Sequence, residues 1–103
     1  MYVLLYVTAS DAEEAKKIGK EIVRRRLAAC ANVVEKIHST YWWEGTLEED
    51  SEALLILKSK KDKVADIIET VKDLHSYENP AVVALPVLEG SKDFLEWIDE
   101  EVR

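Results

Sequence analysis

The sequence predicts an α+β fold: a ferredoxin-like β-α-β-β-α-β sandwich with an extra C-terminal helix, a single domain over residues 1–103. Three observations predict it. Strand-like and helix-like segments follow one another in that order. Two stripes of apolar residues at helical spacing separate the β-branched runs. The middle two strands are joined by a tight turn and run much longer than either helix, which makes a long central hairpin.

Residues 2–8, YVLLYVT, are β-branched, aromatic and apolar on both faces, the pattern of a buried strand. Ser10 is the expected cap of the first helix, with Glu13 reaching back to it as a capping box. Ala12, Ala15, Ile18, Ile22, Val23 and Leu27 recur at helical spacing. Acids at the start and Arg24, Arg25 and Arg26 at the end suit the helix dipole, so the spacing predicts a helix over 11–28. Residues 29–44 read as a long strand with a bulge, Gly45-Thr46 as the turn, and 47–58 as the returning strand. In the latter, Glu52, Leu54, Ile56 and Lys58 share one face, and Ala53, Leu55 and Leu57 the other. Ser59 is the expected cap of a second helix whose stripe is Val64, Ile67, Ile68, Val71 and Leu74. HSYENP ends that helix. AVVALPVL, 81–88, is a fourth strand, and Pro86 places its end at a sheet edge or a bulge. Gly90-Ser91 opens a last helix carrying Phe94, Leu95, Ile98 and Val102.

The totals narrow the function. Hydrophobic residues make up 48% and charged residues 34%, a globular composition. A net charge of −7 argues against nucleic acid and anionic membrane as partners and suits cations. RNA-recognition domains share this element order, but they need aromatics on strands one and three within a basic motif. Tyr2 and Tyr6 stand on the first strand, whereas ALLILK on the third has none. The apolar run Tyr2–Val7 lacks a basic leader and is too short for a signal core or a membrane span. Cys30 is the lone cysteine and forms no internal disulfide, so a cytoplasmic location is expected.

Lengths imply self-association. A strand of about 15 residues spans roughly 50 Å, whereas a helix of about 15 residues spans about 23 Å. The helices therefore leave half the hairpin bare, including Tyr41, Trp42 and Trp43 near its tip. Bare strand edges and exposed rings invite pairing with another copy. An obligate oligomer is expected, with these rings and Trp97 in its contacts.

RLAACANV (26–33), YWWEGTLEED (41–50), LLILKS (54–59), LHSYENPAVVALPV (74–87) and FLEWI (94–98) together resemble the CutA family of divalent-cation tolerance proteins. The resemblance covers nearly the whole chain. It implies a PII-like homotrimer whose long strands pair between subunits, found in periplasmic or cytoplasmic settings. It also implies a non-enzymatic role in divalent-cation (copper) tolerance, with copper or another divalent cation, or a small ligand, held at intersubunit clefts. The alternative is a structural or signalling trimer that acts through an unknown protein partner without binding metal itself. In members with a copper site, the ligands are a Cys near the end of strand one and two adjacent His. Those positions here hold Val7, Leu74 and His75, and Ser76 replaces the Pro that usually follows. His75 is thus the one metal candidate retained.

The ligand-cleft candidates are Cys30, Glu52, Lys58, Tyr77 and Glu78. His75, Tyr77 and Glu78 follow the second helix, where they form either a metal or ligand site or a hydrogen-bonded loop. Cys30 is a soft ligand or, as free thiols often are, a small buried hydrophobe. Glu52 and Lys58 lie about 20 Å apart on one strand face and cannot pair with each other. Glu44, Glu48, Glu49 and Asp50 lack the Gly-spaced pattern of a calcium loop and read as a solvated tip. No nucleophile motif or phosphate loop supports acid–base catalysis by His75, Tyr77, Glu78 and Lys58, so no enzymatic activity is expected.

Overall fold

Strict alternation of buried and exposed side chains makes Tyr2–Ala9 the first strand, β1. The computed structural model describes all of residues 1–103. After β1 come α1 (Ala12–Arg24), β2 (Cys30–Trp43), β3 (Thr46–Lys60), a 3-10 turn (Lys61–Lys63), α2 (Val64–Leu74), β4 (Val82–Pro86) and α3 (Lys92–Glu101). The four strands form one antiparallel sheet in the order β2-β3-β1-β4. This is the ferredoxin-like arrangement the sequence predicts, with α3 added. Pro86 ends β4 on the sheet edge, where a missing N–H costs no ladder bond.

The core lies between one face of the sheet and the two helices. Leu5, Val7, Leu55 and Leu57 meet Ile18 and Ile22 of α1 and Ile67 and Val71 of α2, all fully buried. Gly19 lets α1 approach closely, because a Cβ there would stand 2.8 Å from Leu55 Cδ1 and 3.0 Å from Ala31 Cβ. The opposite face carries Leu4, Tyr6, Val34, Val83 and Leu85, all exposed. β1 is apolar on both faces as its sequence reads, but α1 and α2 cover only one of them, and α3 reaches only the Tyr2 end of the other.

Several boundaries differ from the sequence reading. The cap of α1 is Asp11, which accepts from the Glu14 N–H at 2.8 Å, while Glu14 Oε1 accepts from the Ser10 N–H at 2.9 Å. The cap thus sits one residue further on than Ser10, and Glu14 in place of Glu13 reaches back, past the cap to the Ser10 N–H. α1 stops at Arg24 instead of running to 28 because Arg26 turns left-handed, with φ 63°. The Arg26 N–H then bonds the Val23 carbonyl and the Leu27 N–H the Ile22 carbonyl, a Schellman end built without glycine. Leu27 and Ala28 reach the core from the loop that follows. Ser59 caps nothing: it is buried in β3 and donates to the Leu27 carbonyl at 2.5 Å, pinning that loop. The turn is Glu44-Gly45, with φ 49° and 81°, which places both central residues where a two-residue hairpin turn of the right twist needs them.

The hairpin dominates the shape, 44 × 25 × 22 Å overall. β1 pairs with β3 only from Ala53 to Lys60, so Thr46–Glu52 and Ile37–Trp43 form a two-stranded overhang with no third strand. Trp42 there is 73% exposed. At the other end, α3 seats Ile98 and Val102 against Ala29, and Tyr2 donates to Asp99 at 2.5 Å.

Two substitutions test this reading. Glu44→Asn relieves a left-handed position with a residue that tolerates it, and should raise stability by about 0.5 kcal/mol in urea melts. Gly19→Ala should lower stability by about 1 kcal/mol or more despite its better helix propensity, because fully buried Leu55 has no room to yield.

Candidate functional site

Where β1 ends and the overhang begins, a cleft of about 840 Å³ opens between the hairpin and the loop after α2. A bulge decides which side chains line it. Between Val34 and Ile37, β2 advances three residues while β3 advances two, from Leu54 to Glu52. Even-numbered residues of β2 share the face away from α1 and α2 before the bulge, and odd-numbered ones after it. Tyr41 and Trp43 therefore come to the same face as Glu52, and both line the cleft.

Glu52 is its centre. The residue is 8% exposed, and Tyr77 donates its hydroxyl to Oε2 at 2.8 Å. No other side-chain or backbone group of the chain bonds this carboxylate. Burial first, then the hydrogen bond to Glu52, pushes the Tyr77 phenol well above its ordinary range, so it stays a donor. Nearby, Tyr41 donates to Asp50 at 2.5 Å, and this bond with burial pushes its phenol up to about 12.

The loop that brings Tyr77 to Glu52 is fastened by His75. Its side chain is fully buried. Nε2 lies 2.7 Å from the Thr8 carbonyl, and Nδ1 lies 3.0 Å from the Tyr77 N–H. A carbonyl only accepts and an N–H only donates, so the network assigns a neutral ring protonated at Nε2. Glu14 Oε1 is 3.7 Å from Nδ1, a distance that would become an ion pair only on a protonated ring. Glu14 instead accepts from the Ser10 N–H and hydroxyl and from the Ser76 N–H. Burial pushes its carboxyl up, but these bonds outweigh burial and hold it below its ordinary range.

The structure gathers only part of the expected site. Glu52, Tyr77 and Glu78 line the cleft together with Tyr41, Trp42 and Trp43. His75 sits behind it as a fastener with both nitrogens engaged. Cys30 and Lys58 face each other at the opposite end of the sheet, level with Leu4. Cys30 is half-buried on the face away from α1 and α2, 3.6 Å from Asn32 Oδ1, rather than in the core. Lys58 lies 5.3 Å over the Phe94 ring, and Phe94 also packs on half-exposed Trp97. No three His, Cys, Asp or Glu residues stand together as a metal-holding group. Within one chain, the donors do not fit copper: Val7 and Leu74 offer none, and His75 has spent both of its own. Sequence reasoning took Glu13 for the partner of Ser10 and missed Glu14, which accepts from Ser10 and also ties the Ser76 loop. The signal was the second acid beside Glu13.

The chain also matches known proteins. The family model of the CutA1 divalent ion tolerance protein matches residues 3–101. The divalent-cation tolerance protein CutA of Archaeoglobus fulgidus is 42% identical over 103 residues, covering 100% of both chains. The solved structure of the periplasmic divalent cation tolerance protein CutA from that organism superposes with a TM-score of 0.97, over 100% of each chain. The chloroplastic protein CutA of Arabidopsis thaliana is 42% identical over 101 residues, 98% of this chain but 56% of that protein. No helix of this chain is long and apolar enough to cross a membrane.

Tyr77→Phe tests the centre of the cleft. It strips Glu52 of its one partner and should cost about 1–3 kcal/mol in urea unfolding at neutral pH. The wild type should also lose stability above pH 10.0, where the unfolded phenol ionises and the raised folded one does not yet. The loss continues as pH rises through the folded value, and Tyr77→Phe should flatten it. An equal alkaline fall in both proteins would place the bond outside the stability of the fold.

Proposed function

The chain belongs to the CutA1 divalent ion tolerance family, and from that premise we propose a non-enzymatic homotrimer serving divalent-cation tolerance, with the Glu52–Tyr77 cleft as its ligand site. The observation that carries this reading is Glu52: a carboxylate held nine-tenths buried in a cleft, with one oxygen occupied by Tyr77. Its second oxygen opens to the cleft instead of being sealed in the core, and a mostly desolvated carboxylate favours a positively charged ligand. The net charge of −7 adds to that preference.

Self-association is supported by the uncovered apolar face at Leu4, Tyr6, Val34, Val83 and Leu85 and by the bare overhang. Each is a surface that another copy can cover, and the overhang is also one wall of the cleft, which lies between subunits in this reading. A divalent ion such as copper would there take donors from more than one chain, since no single chain gathers three. The cytoplasmic location rests on the lone free Cys30.

Sedimentation of tag-free protein should give a mass three times the 11.8 kDa of the chain. Calorimetric titration with Cu²⁺ and Zn²⁺ should give saturable heats with a whole number of sites per trimer, weakened about tenfold or more in Glu52→Gln. A monomer mass, or heats that Glu52→Gln leaves unchanged, would overturn this reading.

A further inference from the structure

We infer that the cleft is built for an organic ammonium ion, an alkylated nitrogen cation seated against Glu52 among aromatic rings. The inference rests on the reading of this cleft as the ligand site and adds the class of ligand.

Three observations point to that class. First, the charge of the walls is one-sided. Glu52 and Glu78 line the cleft, and no lysine or arginine of the same chain does. The one group there able to become cationic is His38, whose Nε2 lies 3.4 Å from Glu49 Oε1. Second, the remaining walls are rich in rings: Tyr6, Tyr41, Trp42, Trp43 and Tyr77. Ring faces carry negative potential and attract cations with little hydration, and aromatic walls around a carboxylate are the usual recognition chemistry for alkylated ammonium groups. Third, Glu52 is nine-tenths buried and Oε1 has no partner in the chain, while Tyr77 occupies Oε2. A charged acceptor is therefore left for something that enters the cleft.

A bare metal ion fits these walls less well. Hard divalent ions take about six oxygen ligands and zinc about four nitrogen or sulfur ligands. Within one chain the cleft offers no group of three His, Cys, Asp or Glu, so a metal there would need donors from a second copy, and aromatic rings do not ligate. An ammonium ion asks for one anionic acceptor and apolar surface, and the cleft has both.

The test is titration of the intact oligomer with tetramethylammonium chloride, followed by calorimetry and by tryptophan fluorescence. Uncharged tert-butanol of similar size is the comparison, with sodium chloride holding ionic strength. The expected result is saturable binding about tenfold or more tighter than tert-butanol. It should weaken about tenfold in Glu52→Gln, which keeps the acceptor for Tyr77 and removes the charge, and it should compete with Zn²⁺. Equal binding of tert-butanol would show a merely apolar cleft and overturn the inference. So would absent ammonium binding alongside Glu52-dependent Zn²⁺ heats, which would leave the cleft as the ligand site. Absence of Glu52-dependent binding for both cations would remove the cleft itself. The wild-type comparison of the two probes stands even if Glu52→Gln fails to fold.

Discussion

A two-stranded ribbon cannot bury its own side chains, and that constraint shapes everything at the hairpin end of this molecule. β3 leaves the shelter of β1 at Ala53, and from there to Glu44 the ribbon has no third strand and no helix over it. Its rings at Tyr41, Trp42 and Trp43 remain open. Such a surface has only a few stable fates: water, another chain or a ligand. The cleft sits where the sheltered sheet gives way to the ribbon, so the same overhang provides one wall of the site and a face for assembly.

The opposite wall is held from the core outward. Asp11 caps α1, Glu14 ties that cap to Ser10 and to the Ser76 N–H, and His75 joins the Thr8 carbonyl to the Tyr77 N–H. Each bond satisfies a group that would otherwise be stranded at the end of a helix or strand. Their combined effect is to fix Tyr77 against Glu52. A loop that would ordinarily be mobile is made part of a preorganised site by groups that also finish the secondary structure.

The fold was readable because periodicity reports burial. Val64, Ile67, Val71 and Leu74 mark α2, and alternation in Ala53, Leu55 and Leu57 marks the core face of β3. Exact ends were not readable where the backbone overrode composition. Arg26 adopts a left-handed angle that glycine usually supplies, and Asp11 outcompetes Ser10 as the cap because its carboxylate meets the Glu14 N–H. Of the site, Glu52, Tyr77 and Glu78 were visible as polar residues near aromatics. The distance of Lys58 from Glu52 was readable from the rise of one strand, but the pairing of Cys30 with Lys58 at the Leu4 level was not, because it depends on strand register. Nor was the commitment of both His75 nitrogens, which depends on the path of β1 past the loop.

The irregularity between Val34 and Ile37 also bears on what a motif means. The string Tyr-Trp-Trp has no inherent inside or outside; the count of residues ahead of it supplies one. A relative that lost a single residue there, with everything else spelled alike, would exchange the strand face of Trp42 with that of Tyr41 and Trp43 relative to Glu52. Its sequence would align almost perfectly, yet its recognition surface would be the reverse of this one. The spacing from Val34 to Tyr41 therefore carries as much binding information as the aromatic letters themselves.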